Sequence, residues 1–433
     1  MKKTFSIFIF ILPFLSYSQD KETIDWITNN SIEIEDANPD SELKIFENNT
    51  PNKFDNAKIY GFGEASHNTK EFFVLKAKFF KHLVKTQGLK IFIMEESYQA
   101  ESGINEWISG GKGDVQTIAK NFNIGFWYTK EIVSLLQWMR NYNQNKSEAD
   151  QIQFYGMDIQ IGKNISQKIR DFVSFNKIDI DEKLLITADS CSNKIIDYYI
   201  SDSWWQKQLP DLKELKKQIL NSKTNSREYK QIIRSLDYLL SYTEYASIVA
   251  DKYPRSTEFR DLKMFENVKW IAENESKNGK AFIWAHNEHI NKREMYYTGS
   301  DIINLGRHLK DNYKDDYYSV GFDFGTGKIN GYVSNEKKGG YWKTYDIEKP
   351  FKRTYARTLM SVDKDIYFID LQSAIESDSS EFFSKKNRHL LIGGGGYQPK
   401  PLYKIIISKI YTETYDGLIF VKEISIPDYT LDK

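Results

Sequence analysis

The chain has 433 residues, with 60 basic and 60 acidic side chains and a formal net charge of zero. That balance argues against a general nucleic-acid binder, which carries a basic excess on at least one face. Hydrophobic residues make up 40% and aromatics 15%. This is enough apolar mass for one large α/β domain or two smaller ones, and it excludes disorder over most of the length.

The first segment reads as a signal peptide, residues 1–18. Lys2 and Lys3 form a positive start, Phe5 to Leu15 is an apolar run, and Ser16-Tyr17-Ser18 supplies small residues for cleavage before Gln19. The apolar run is too short for a membrane span, and no other stretch approaches one. The mature chain, 19–433, is therefore expected to be exported to the periplasm or secreted. Its single cysteine, Cys191, sits in a helix-like stretch with no histidine near it and reads as structural.

A unit then recurs along the chain: a short β-rich apolar run closed at once by a polar residue. Ala57 to Phe62 ends in Gly63-Glu64, Leu89 to Met94 in Glu95-Glu96, and Ile152 to Met157 in Asp158. Ala281 to Ala285 ends in His286-Asn287, Tyr317 to Phe322 in Asp323, and Ile366 to Ile369 in Asp370. Leu418 to Val421 closes the set. Helical periods lie between the early runs. Phe72, Leu75, Phe79, His82 and Leu83 share one face, with Asn68 and Glu71 reading as a capping box before them. Ile132, Leu135, Leu136 and Met139 form a second helix. Alternating strands and helices predict an α/β fold with a mostly parallel sheet flanked by helices. From about 165 to 274 no strand appears, but amphipathic stretches do. This interval reads as a helical lobe inserted over the C-terminal strand edge, with Trp204 and Trp205 in its core.

Ligands of such sheets bind beyond the carboxyl ends of the strands. That edge collects Glu64, His67, Glu95, Asp158, His286 and Asp323. Only six histidines are present. His67 lies between a strand end and a helix start, where an imidazole with an unperturbed pKa of about 6.5 can take a proton from water. Glu64, three residues earlier, can orient it, and from spacing alone a simple helix cap accounts for His67 equally well. Gly61 and Gly63 would let the backbone turn tightly and approach a ligand. His286 and His289 form a His-x-x-His pair after a strand, able to donate to a substrate or to hold a metal, though without the spacing of a zinc protease. His82 reads as a packed histidine. His308 and His389 lie in polar stretches and receive no role. Gly-x-Ser-x-Gly is absent around Ser66, so a serine elbow is not indicated. Gly393 to Gly396 follows no clear strand and opens no helix, so it reads as a flexible loop.

Several motifs together resemble those of the erythromycin esterase family. They are Gly61-Phe62-Gly63-Glu64-Ala65-Ser66-His67, Glu71-Phe72-Phe73, Ile93-Met94-Glu95-Glu96-Ser97-Tyr98 and Asn105-Glu106-Trp107-Ile108. Gly125-Phe126-Trp127, Phe154-Tyr155-Gly156-Met157-Asp158, Arg260-Asp261, Trp284-Ala285-His286-Asn287-Glu288-His289 and Tyr415-Asp416-Gly417 continue the match. The resemblance implies water-mediated cleavage of an ester or macrolide lactone, with no covalent intermediate, cofactor or obligatory metal. It implies His67 as general base and Glu64, Glu95 and His286 as its catalytic companions. Lys76, His289, Asp158 and Trp127 are then expected at the substrate. Lys76 departs from the family pattern, which has arginine there; lysine keeps the charge but loses the planar fork of donors. The family also includes proteins linked to succinoglycan biosynthesis, so the resemblance leaves the substrate open. Two rival readings stand beside it. One is an exported, Tyr- and Trp-rich protein that holds a haem or a glycan without chemistry; the other is a metal-dependent hydrolase.

Overall fold

The computed structural model describes residues 12–222, 227–250, 254–297, 300–334, 340–377, 380–401 and 405–429. Residues 1–11, most of the expected signal peptide, lie outside them, and 12–18 open a helix, Leu12–Asn30. No helix among the described residues is long and apolar enough to cross a membrane.

Nine strands form one sheet: β1 Ile32–Glu33, β2 Ile59–Phe62, β3 Ile91–Ser97, β4 Gln153–Asp158, β5 Ala281–Trp284, β6 Tyr317–Val333, β7 Tyr341–Ile347, β8 Ile366–Asp370 and β9 Gly417–Ile424. Their order across the sheet is β1-β8-β9-β6-β2-β5-β3-β4, with β7 paired to β6. The joins from β9 to β4 are all parallel. The β1, β8 and β7 pairings are antiparallel. The expected α/β sheet is present, with antiparallel strands added at one margin and beside β6. Register aligns the exits: Phe62 pairs with both Trp284 and Val320, and Met94 with Trp284.

The buried strands read as continuous apolar runs because helices cover both faces. On one face lie α1, Lys70–Gln87, and α2, Lys130–Asn143. Phe73 and Phe80 of α1 pack against Trp284, Phe92 and Phe282 in an aromatic layer. Each fully buried ring of this kind contributes roughly 1.5–3 kcal/mol. Gly88 ends α1 at a φ of 64°, the left-handed cap that glycine adopts without strain. The expected capping box at its other end does not form. Thr69 is the N-cap, and the Glu71 carboxylate instead accepts from the Ser425 N–H and hydroxyl, both at 2.6 Å. A tertiary partner has outcompeted the local one.

Between β4 and β5 the chain is helical: α3 Ile165–Phe175, α4 Glu182–Asn193, α5 Trp204–Asn221, α6 Arg227–Ile248 and α7 Arg255–Asn274. Helices α3 to α6 enclose their own apolar cluster, which includes Cys191, Trp205, Leu212, Leu236 and Leu239, with Trp204 packed against it. Helix α7 returns the chain to the sheet, where Met264, Val268 and Ile271 join the core of the second face with Leu305 and Leu309 of α9, Leu305–Tyr313. Between them a single-turn helix, α8 Asn287–Ile290, follows β5.

Candidate active site

Glu64 leaves β2 at the middle of the sheet, between β5 and β6. The Gly63 N–H donates to the Val320 carbonyl and the Asn287 N–H to the Glu64 carbonyl, both at 2.9 Å. The Asn287 side chain clamps β6 as well, donating to the Phe322 carbonyl at 2.7 Å and accepting from the Phe322 N–H at 3.0 Å. A Cβ on Gly63 would fall 2.2 Å from Asn287 Oδ1. Glycine is required there to admit this clamp, not a ligand as the sequence suggested.

The Glu64 carboxylate is fully buried and divided between two partners. Its Oε1 lies 2.5 Å from His67 Nδ1, and its Oε2 receives the Lys76 ammonium. His67 is thus tied to a carboxylate and is not a helix cap. With Nδ1 so engaged, Nε2 is the ring nitrogen left free to accept a proton. Lys76 comes from α1, is fully buried, and sits 3.9 Å over the Trp284 ring. Burial pulls its pKa down to about 8, against the opposing pull of Glu64. The His67 ring lies flat on Phe126, with centroids 5.3 Å apart, and meets the edge of Trp127 at 5.8 Å. Those rings stand on the Gly125–Trp127 turn. Glu96 holds its approach, accepting the Ser97, Asn123 and Ile124 N–H groups at 2.6, 3.2 and 3.0 Å. Burial pushes Glu96 up to about 7 against these donors.

Beside this pair lies a second charged cluster. Arg260 of α7 grips Asp158 with Nε at 2.9 Å and Nη2 at 2.7 Å, and Nη2 also donates to Glu95 Oε1 at 2.9 Å. His289 lies 2.8 Å from Asp261 Oδ1 through Nδ1 and 3.2 Å from Glu95 Oε1 through Nε2. Burial lowers the His289 pKa, but Asp261 and Glu95 outweigh it and push it up to about 10, so the ring is an imidazolium. The 3.2 Å approach of Arg260 Nη1 to His289 Nε2 is then a meeting of two donors, not a hydrogen bond, and the Nη1 hydrogens remain for the cleft. Burial would raise Glu95, yet His289 and Arg260 together hold it well below the usual carboxylate range.

His286 is engaged at both nitrogens. Its Nδ1 accepts the Glu288 N–H at 3.2 Å, and its Nε2 donates to the Ile392 carbonyl at 3.0 Å. Burial and the nearby His67 hold its pKa well below normal, so it is a neutral ring. Its centroid is 4.9 Å from that of His67.

His67, Glu95, Trp127, Arg260, His286 and His289 line one cleft of about 590 Å³ between the strand exits and the helical layer. Glu64, Lys76 and Asp158 stand behind that surface, each with no solvent exposure. Lys76 and Asp158 therefore hold other charged groups and do not border the cleft. Arg260 went without a role in the sequence reading. The signal was the Arg260-Asp261 pair on a helix otherwise marked by Met264, Val268 and Ile271, a charge pair beside an apolar stripe.

Asp323 and His389 belong elsewhere. Tyr411 donates to Asp323 Oδ2 at 2.7 Å and lies 2.6 Å from His389 Nδ1. Asp323, Tyr411 and His389 are all buried, so His389 is a core histidine and not the solvated one its neighbours suggested. Among the described residues no group of three or more His, Cys, Asp or Glu side chains is arranged to hold a metal ion.

A crystal structure of a Bacillus cereus protein superimposes with a TM-score of 0.81 at 22% identity, covering 95% of this chain and 99% of that one. A succinoglycan biosynthesis protein gives 0.81 at 20% identity with the same coverage. A mutant of the erythromycin esterase EreC, in its open conformation, gives 0.66 at 16% identity over 93% of this chain and 99% of that one. At these identities the likeness is one of fold. In sequence, erythromycin esterase type II of Escherichia coli is 26% identical over 291 residues, which are 61% of this chain and 68% of that protein. The family model described as erythromycin esterase matches residues 84–424, beginning after the Glu64–His67 turn and spanning Glu95, Arg260, His286 and His289. That match covers most of the chain, and the protein belongs to the erythromycin esterase family.

Proposed function

We propose that the protein hydrolyses an ester or lactone by water that His67 activates. The observation that carries this reading is the Glu64–His67 contact of 2.5 Å, with the imidazole at the cleft and the carboxylate sealed behind it. His67 Nε2 removes a proton from water as the oxygen attacks the carbonyl carbon. Glu64, made ionic by Lys76, stabilises the imidazolium that results. The tetrahedral oxyanion collapses, and His67 returns the proton to the departing alkoxide, giving acid and alcohol. Arg260 supplies the charge opposite the oxyanion. This task, first given to Lys76 and His286, suits neither: Lys76 is behind the surface and both His286 nitrogens are occupied. Glu95 and Asp158 fix the guanidinium, and His289 adds positive potential. Trp127 and Phe126 confine the His67 ring.

His67→Ala is expected to lower kcat/KM for a responsive ester by about 10²–10⁴-fold, the usual worth of a positioned base, with an unchanged circular dichroism spectrum. A screen of simple lactones, macrolides and aryl esters supplies the substrate; turnover retained in that variant overturns the assignment. We also propose that residues 1–18 direct export, which sequencing the N-terminus of the mature protein tests: a chain beginning at Gln19 supports it and one beginning at Met1 refutes it.

A further inference from the structure

Directly after Ile392, whose carbonyl holds His286, come four successive glycines, Gly393 to Gly396. The fold makes different demands on them. Gly396 has a φ of 67°, and a Cβ there would fall 2.3 Å from the Asn330 carbonyl oxygen, so a side chain is excluded. Gly393 and Gly394 are not in the left-handed region, and a Cβ on either would meet nothing within 4 Å among the described residues. These two are the ones that line the cleft. Neither backbone conformation nor internal packing calls for glycine at 393 or 394, and a glycine loses more freedom on folding than a residue with a side chain. What the two missing side chains leave is width in the cleft.

A second, independent feature lies on the lobe side. In the connection between α4 and α5, Ile195, Tyr199 and Ile200 are 88%, 95% and 65% exposed, and Tyr198 is 43% exposed. The Asp197 carboxylate fixes this turn by accepting the Tyr199 and Ile200 N–H groups at 2.8 and 3.1 Å. Tyr198 and Tyr199 border the same cleft as the two glycines. Contiguous apolar surface left in water at the mouth of a cleft marks a binding surface. Tyrosine suits it, offering an apolar ring with a polar tip.

We propose that Gly393 and Gly394, with Tyr198 and Tyr199, form the subsite for a bulky apolar body attached to the reacting ester. The glycines supply clearance for its thickness and the tyrosines a face for it to pack on. The proposal rests on the hydrolytic reading of His67, but it concerns binding and is read separately.

The test uses the full-length protein and two acids of contrasting bulk, adamantane-1-carboxylate and acetate. Binding is measured by calorimetry, and hydrolysis of their p-nitrophenyl esters by absorbance. The wild type is expected to bind the bulky acid at least about tenfold more tightly, which is ~1.4 kcal/mol. Gly394→Val, with Gly393→Val as a second variant, is expected to erase that preference at an unchanged melting temperature. Tyr199→Ser is expected to reduce it about threefold, on the order of 0.7 kcal/mol. A wild type without the preference overturns the proposal, as does a folded valine variant that keeps it. Preference lost on Gly394→Val, while no ester is cleaved by the wild type, upholds the subsite and refutes the hydrolytic reading.

Discussion

Two buried arginines make an instructive pair. Arg234 of α6 forks onto Glu101 at 2.9 and 2.6 Å, with the rings of Tyr98, Tyr155, Tyr238 and Trp270 all about it at 4.9 to 5.3 Å. Arg260 of α7 forks onto Asp158 and reaches Glu95. Both are driven above the ordinary arginine value by their carboxylates, against the opposing effect of burial. Perturbed titration alone would nominate either as functional. The surroundings separate them. Arg234 is walled in by aromatic rings and answers one carboxylate, so its work is to fasten the lobe to the segment after β3. Arg260 shares two carboxylates, faces an imidazolium, and retains donors on a cleft. Access, more than electrostatic perturbation, distinguishes a site from a rivet.

Substitution breaks the comparison at its strongest point. Arg234→Ala leaves Glu101 buried without its partner, and loss of one member of a buried pair costs about 3–5 kcal/mol. Urea denaturation should record that loss while kcat/KM per folded molecule stays near wild type. Arg260→Lys keeps a charge but forfeits the planar fork. We expect kcat/KM to fall by about 10²–10³-fold, the range seen when one oxyanion donor is removed, with a smaller loss in urea midpoint. If both variants lost activity and stability in equal proportion, the distinction between the two arginines would collapse.

The sheet was legible because its strands are apolar runs that end on a polar residue, and the ends carry the site. Glu95 and Asp158 lie inside the last turns of β3 and β4, not beyond them, yet still reach the exit edge. The strand order was not legible, because β2, β5 and β6 are neighbours brought together from residues 59, 281 and 317. The partnerships of the site were hidden for the same reason. His67 and Glu64 are three apart and could be read together, but Arg260 meets Asp158 across 102 residues and Glu95 across 165. Glu71 misled through its ideal capping spacing, since its actual donor is Ser425. His389 misled because charged neighbours on an edge hairpin said nothing of the face it turns to Tyr411.

The buried trio Asp323, Tyr411 and His389 extends the comparison to a network without a cleft. Tyr411→Phe removes a hydroxyl that serves both partners. Leaving buried polar groups unpaired costs about 1–3 kcal/mol, visible as a lower urea midpoint. No effect on the pH profile of hydrolysis is expected, and a displaced profile would mean that this trio is coupled to His67.

The smallest effect concerns the imidazolium beside Arg260. His289 loses its proton near 6.5 when unfolded and near 10 when folded between Asp261 and Glu95. Below pH 6.5 both states hold the proton, and the stabilisation is present in full. Between 6.5 and 10 only the folded state holds it, so stability drains away as pH rises and is lost above 10. Lys76, pulled down to about 8 by burial, contributes a slope of opposite sign between 8 and its ordinary 10.5. The informative quantity is therefore the difference between wild type and His289→Gln, which carries no titrating group at this place. The urea midpoint of the wild type, taken relative to that of His289→Gln, should fall from pH 6 to pH 10. Parallel curves for the two proteins would mean that the ring is neutral, and Arg260 would then be the only cation facing the carbonyl in the proposed reaction.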